Sequence, residues 1–111
     1  MASAGSLTLE VIEARLTRDT STFTSMDPYV KINYRMEEHN TATNTGKNPE
    51  WNETFEIDVK YVGDDMIIKV LDKCMEGDDK IGETSIKASS LCSGTGIDEW
   101  FPIQFKGKQS G

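Results

Sequence analysis

A chain of 111 residues, 36% hydrophobic and 28% charged, is long enough for one globular core and too rich in apolar residues to be disordered by composition. No apolar run exceeds about three residues, so no segment has the length of a membrane-spanning helix. The formal net charge of −7 excludes nucleic acid as the natural partner and sets the chain against an anionic lipid surface unless something local reverses the sign.

The first residues, Met1 to Ser6, show neither the basic and apolar regions of a secretory signal nor a myristoylation pattern, since Ala2 follows Met1. The expected location is the cytoplasm, where Cys74 and Cys92 read as free thiols. In that compartment the glycosylation sequon Asn52-Glu53-Thr54 is idle.

From Leu7 onward the dominant signal is alternation with period two. Leu7, Leu9 and Val11 alternate with Thr8 and Glu10; the parity then switches, and Ile12, Ala14 and Leu16 continue. Such a switch predicts a bulge or a strong twist. Val30, Ile32 and Tyr34 form the next alternating run, and Glu37-Glu38-His39 reads as a solvated turn. Thr41 to Thr45 is a weak, Thr-rich strand candidate.

Phe55, Ile57 and Val59 alternate cleanly, as do Met66, Ile68 and Val70. Ile81 to Ile86 and Phe101 to Phe105 complete the set, the last confined by Pro102 to an edge or a strand start. Turn chemistry separates the runs at Gly46 to Pro49, Gly63 to Asp65, Gly77 to Asp79 and Ser93 to Gly96, and the longest helix-period segment is Lys87 to Cys92. Seven short strands predict an all-β, antiparallel sandwich, with the domain at 7–106 and short tails at 1–6 and 107–111.

Carboxylates gather where strands meet loops. Asp19 and Asp27 flank a Thr- and Ser-rich loop, Asp72 ends a strand, and Asp78 and Asp79 close the next loop. Turn chemistry alone accounts for an Asp at a strand end. Several together repel one another unless a cation sits among them, and calcium suits oxygen donors in irregular geometry.

Three segments resemble the C2 domain family. Ser25-Met26-Asp27-Pro28-Tyr29-Val30-Lys31-Ile32, Lys47-Asn48-Pro49-Glu50-Trp51-Asn52-Glu53-Thr54-Phe55, and Val70-Leu71-Asp72 followed by Asp78-Asp79-Lys80-Ile81-Gly82-Glu83 are similar to its motifs, in the family's order. The fold implied is an antiparallel Greek-key sandwich of seven to eight strands, and the chain is similar to small single-domain proteins of the plant elicitor-responsive type. The implied cofactor is Ca2+, with Asp27, Asp72 and Asp79 on ligand positions and Asp19 and Asp78 as nearby substitutes. Two further ligand positions fall on Ser21 and Cys74, one a weak neutral donor and the other a thiol unsuited to a hard cation, so weak binding is expected.

The resemblance implies a non-enzymatic module that associates reversibly with membranes. Phe23, Met26 and Met75 are the loop residues expected to enter the lipid interface, while Tyr29 and Lys31 match part of a basic headgroup cluster otherwise replaced by His39 and Thr41. A calcium-independent scaffold that docks a protein partner is the alternative. With His39 the one histidine and no nucleophile elbow or phosphate-binding motif, neither an active site nor a small-molecule substrate is indicated. The family's pattern also calls for one more strand beyond the segment Phe105 to Gly111, so that either the final strand has been cut off or an edge is left open.

Overall fold

A computed structural model describes residues 5–16, 26–61, 63–73, 77–88 and 100–111. Its strands are β1 (Gly5–Glu13), β2 (Pro28–Tyr34), β3 (Glu37–Asn40), β4 (Glu50–Val59), β5 (Asp65–Asp72), β6 (Asp79–Lys87), β7 (Gln104–Phe105) and β8 (Lys108–Gln109). One sheet holds β1 and β4; the other runs β3-β2-β5-β6-β7-β8, every pairing antiparallel. Leu7, Ile57 and Val59 from the first sheet pack with Val30, Ile32, Met66, Val70 and Ile81 from the second. The architecture is the expected β-sandwich. Ile32, Ile57, Val59, Met66 and Ile81 are wholly excluded from solvent, and burying each contributes about 1.5–3 kcal/mol.

The parity switch near Val11 corresponds to a bulge. Val11 pairs with Glu53 and Glu13 with Glu50, so the extra residue lies on β4. Asn52 takes a positive φ of 50° there, a conformation that asparagine tolerates better than most residues. Ile12 stays on the outer surface, and burial resumes at Ala14 and Leu16. A second bulge inserts Ile81, because Val70 pairs with Gly82 while Leu71 pairs with Lys80. Gly82 is required there, since a Cβ would overlap the Ser110 hydroxyl and approach Ile103 Cδ1 to 3.0 Å.

Three expectations need correction. Glu37-Glu38-His39 is strand β3, not a turn, and pairs with β2 through a two-residue connection, Arg35-Met36. Thr41 to Thr45 is not a strand: Thr41 Oγ1 accepts the Val30 N–H at 2.9 Å, taking the place of a ladder carbonyl, and the chain then leaves the sheet. The end of the chain is no tail either. Lys106 and Gly107, both at positive φ, turn the chain into β8 as two-residue hairpins prefer, and Ser110 is buried.

Candidate functional site

The register gathers the acids. Pro28 pairs with Asp72, and Asp72 pairs with Asp79, so Asp27, Asp72 and Asp79 stand at the same end of three neighbouring strands. Trp51 anchors this end from the other sheet: it is 9% exposed, and its Nε1–H donates to the Pro28 carbonyl at 3.2 Å. That carbonyl also accepts the Asn44 N–H, which ties the 41–46 segment to the start of β2.

The carboxylates take part in the fold's own bonding. Asp72, 3% exposed, accepts the Asp27 N–H on Oδ1 at 2.9 Å, and the Lys73 N–H returns a bond to the Asp27 carbonyl at 3.0 Å. Asp27 Oδ1 accepts the Thr45 hydroxyl at 3.2 Å. Asp78 Oδ2 accepts the Tyr29 hydroxyl, and Lys73 Nζ lies 4.0 Å from the same oxygen and 5.9 Å from the Tyr29 ring. Burial first, then the bond to Asp78 and its charge, push the Tyr29 hydroxyl up to about 12. Asp79 is exposed at the start of β6.

The donors are hard oxygens, which suit calcium, and they share one end of the sandwich. Among the described residues, no three His, Cys, Asp or Glu side chains are grouped closely enough to hold a metal ion. The arrangement has the right chemistry and lacks a finished cage.

The other predicted positions divide. Asp19, Ser21, Phe23, Cys74 and Met75 lie outside the described residues. Met26 is 2% exposed and belongs to the core, so it is not placed to enter lipid; standing just before β2, it faces the inter-sheet space. Tyr29 is 8% exposed and bonded to Asp78, which leaves little of it to meet a headgroup. Lys31 is half-buried and paired with Glu38 at 3.2 Å. Sequence reasoning missed Thr45 and Lys73. The position of Lys73 beside Asp72 was a usable signal, since a cation next to clustered acids relieves their repulsion.

At the far end of the sandwich, the wholly buried Tyr34 accepts the Lys60 N–H at 2.8 Å and donates to Asp64 Oδ2 at 2.7 Å. Arg35 Nε also reaches that oxygen at 2.7 Å. This knot fixes the fold and offers no free ligand group.

Fold and register define a class: an antiparallel β-sandwich domain with several aspartates at one end. The chain belongs to the C2 domain family, whose model matches residues 5–103. It is 32% identical over 90 residues to elicitor-responsive protein 3 of Oryza sativa subsp. japonica, a match spanning 78% of this chain and 62% of the rice protein. A solved C2 domain-containing protein from a putative elicitor-responsive gene superposes with a TM-score of 0.78 at 26% identity, covering all of this chain (100%) and 86% of that one. The calcium-bound C2A and C2B domains of extended synaptotagmin 2 share the fold, with a TM-score of 0.85 at 24% identity over 97% of this chain and 43% of that one.

Proposed function

We propose that the chain is a peripheral membrane-binding module whose attachment to phospholipid is promoted by weakly bound calcium. The observation that supports this reading is the register Pro28–Asp72–Asp79, by which Asp27, Asp72 and Asp79 lie at the same end of three neighbouring strands. Asp27, Asp72 and Asp79 would hold the ion, with Asp78 and Asp19 as supplementary donors. Bound there, calcium would cancel the local negative charge and offer a positive site to lipid phosphate. Phe23 and Met75 would add apolar contacts. Membership of the C2 family supports the reading, and no helix among the described residues is long and apolar enough to cross a bilayer. The cytoplasm is the proposed location.

The chain's own residues set the strength of binding. Lys73 stands where it competes with an added cation for Asp78, and Tyr29 holds Asp78 by its hydroxyl. Recruiting Asp78 to an ion means breaking both contacts, so affinity of roughly tens of micromolar or weaker is expected. Calorimetric titration with calcium tests this. Heat that saturates in that range, and is lost in Asp27→Asn, supports the site; no heat at about millimolar calcium removes it.

The internal bonding of Asp72 and Asp78 favours a second reading, a calcium-independent scaffold for a protein partner. Thermal stability unchanged by calcium, together with lipid-free binding of a protein, would place that reading first.

A further inference from the structure

The residues that follow Thr41, from Ala42 to Thr45, are exposed and belong to no strand. The segment is nonetheless fixed against the start of β2. The Asn44 N–H donates to the Pro28 carbonyl at 3.0 Å, and the Gly46 N–H to the Met26 carbonyl at 2.8 Å. Asn44 Oδ1 accepts the Thr45 N–H at 2.9 Å, while Asn44 Nδ2 donates to the Glu50 carbonyl at 3.0 Å. Between these ties the Thr45 hydroxyl donates to Asp27 Oδ1 at 3.2 Å. The hydroxyl of an exposed residue therefore stands against a carboxylate on a calcium-ligand position. Tyr29, whose hydroxyl also reaches an acid of this end, is buried and closed to a modifying enzyme.

The acidic end is short of charge for a calcium site. Two positions that the family resemblance marks for ligands hold Ser21 and Cys74, and neither brings the anionic oxygen that calcium prefers. A phosphate adds a charge of about −1.5 to −2 and three strong acceptor oxygens. On Thr45 it would replace a hydrogen-bond donor to Asp27 with an anion beside it. Without a cation the two repel; with one, both are hard oxygen donors. The same group destabilises the empty end and raises its affinity for the ion.

We propose that Thr45 is a phosphorylation site whose phosphate strengthens calcium binding at the loop end. The inference rests on the calcium reading above and adds a control to it. The phosphoryl donor is a nucleoside triphosphate held by a protein kinase. Thr45 Oγ attacks the γ-phosphorus, the new Oγ–P bond forms as the bond from phosphorus to the departing nucleoside diphosphate breaks, and the hydroxyl proton passes to the kinase's base. Access needs only local opening of the two backbone bonds that tie Asn44 and Gly46 to Pro28 and Met26. Lys47, also exposed, gives the segment a cation for the charge pattern that kinases read. Membrane attachment then answers to phosphorylation and calcium together.

The test uses the 111-residue chain in three forms made by segment ligation: unmodified, phosphorylated on Thr45, and phosphorylated on the exposed Thr54 of β4. In calorimetric titration the Thr45 phosphoform is expected to bind calcium at least about tenfold more tightly than the unmodified chain, and the Thr54 phosphoform less than about twofold. Without calcium the Thr45 phosphoform is expected to melt below the unmodified chain, and at about millimolar calcium above it. Equal gains in the two phosphoforms would reduce the effect to net charge and overturn the proposal. An unmodified chain that binds calcium, with no gain on Thr45 phosphorylation, would overturn it and leave the calcium reading standing. If no form binds calcium, the calcium reading falls and this proposal with it. Mass spectrometry of the protein recovered from the cells that make it, with phosphatases inhibited, is expected to find phosphate on Thr45; its absence there would overturn the assignment.

Discussion

The backbone N–H of Asp27 donates to the side chain of Asp72, 45 residues further along, at 2.9 Å. The bond joins the loop before β2 to the loop after β5, and its acceptor is a carboxylate that the calcium reading also needs. Asp72 is therefore a structural residue first, whatever it ligates.

Replacing Asp72 separates the two roles. Asp72→Ala strips the Asp27 N–H of its acceptor in a buried place and is expected to cost about 1–3 kcal/mol. Asp72→Asn keeps an oxygen there and is expected to retain most of the stability while losing the calcium response. Denaturant midpoints and calcium-dependent melting of both variants check this. Equal stability losses in the two would mean that the charge, not the bond, matters.

Lys73 supplies a test of the local field. Lys73→Gln removes the cation 4.0 Å from Asp78, and the pair is exposed enough that the effect is modest. Calcium binding is expected to tighten roughly 1.4- to fivefold, the equivalent of the ~0.2–1 kcal/mol typical of such pairs. Weaker binding in the variant would show that Lys73 supports the site.

Gly82→Ala puts a methyl group against Ser110 and Ile103. A loss of about 1–3 kcal/mol is expected from overpacking, and Ser110→Gly in the same chain is expected to recover part of it. Without recovery, the strain would have to lie in the bulge itself.

At the far end, the Arg35 and Tyr34 hydrogen bonds hold the Asp64 carboxyl below its ordinary value of 3.8. A depressed folded pKa contributes stability that is present above the unfolded value and is lost as pH falls through the folded one. The difference in melting temperature between the native chain and Arg35→Gln is expected to be constant at neutral pH and to shrink as pH drops below 3.8. A difference that persists in acid would assign the effect of Arg35 to packing.

Much of the fold was legible because burial writes a period of two wherever one face of a strand is wet. β1, β2, β4, β5 and β6 all carry it, and the switch after Val11 marks a real bulge. β3 and β8 were illegible for the same reason. Apart from His39, which packs on Phe55, Glu37-Glu38-His39-Asn40 and Lys108-Gln109 bury almost nothing and are strands by hydrogen bonding to a neighbour. The acids' shared end follows from their places at strand termini. The burial of Met26 could not be read, because one residue ahead of a strand the side chain's direction depends on the loop.

Calcium-dependent sedimentation with vesicles of mixed neutral and anionic phospholipid bears most directly on the proposed function. The account predicts that the chain stays in the supernatant without calcium, moves to the pellet at about millimolar calcium, and returns on chelation. Asp27→Asn is predicted to stay in solution throughout. A pellet fraction that is the same with and without calcium, in a chain that remains folded, would contradict the account.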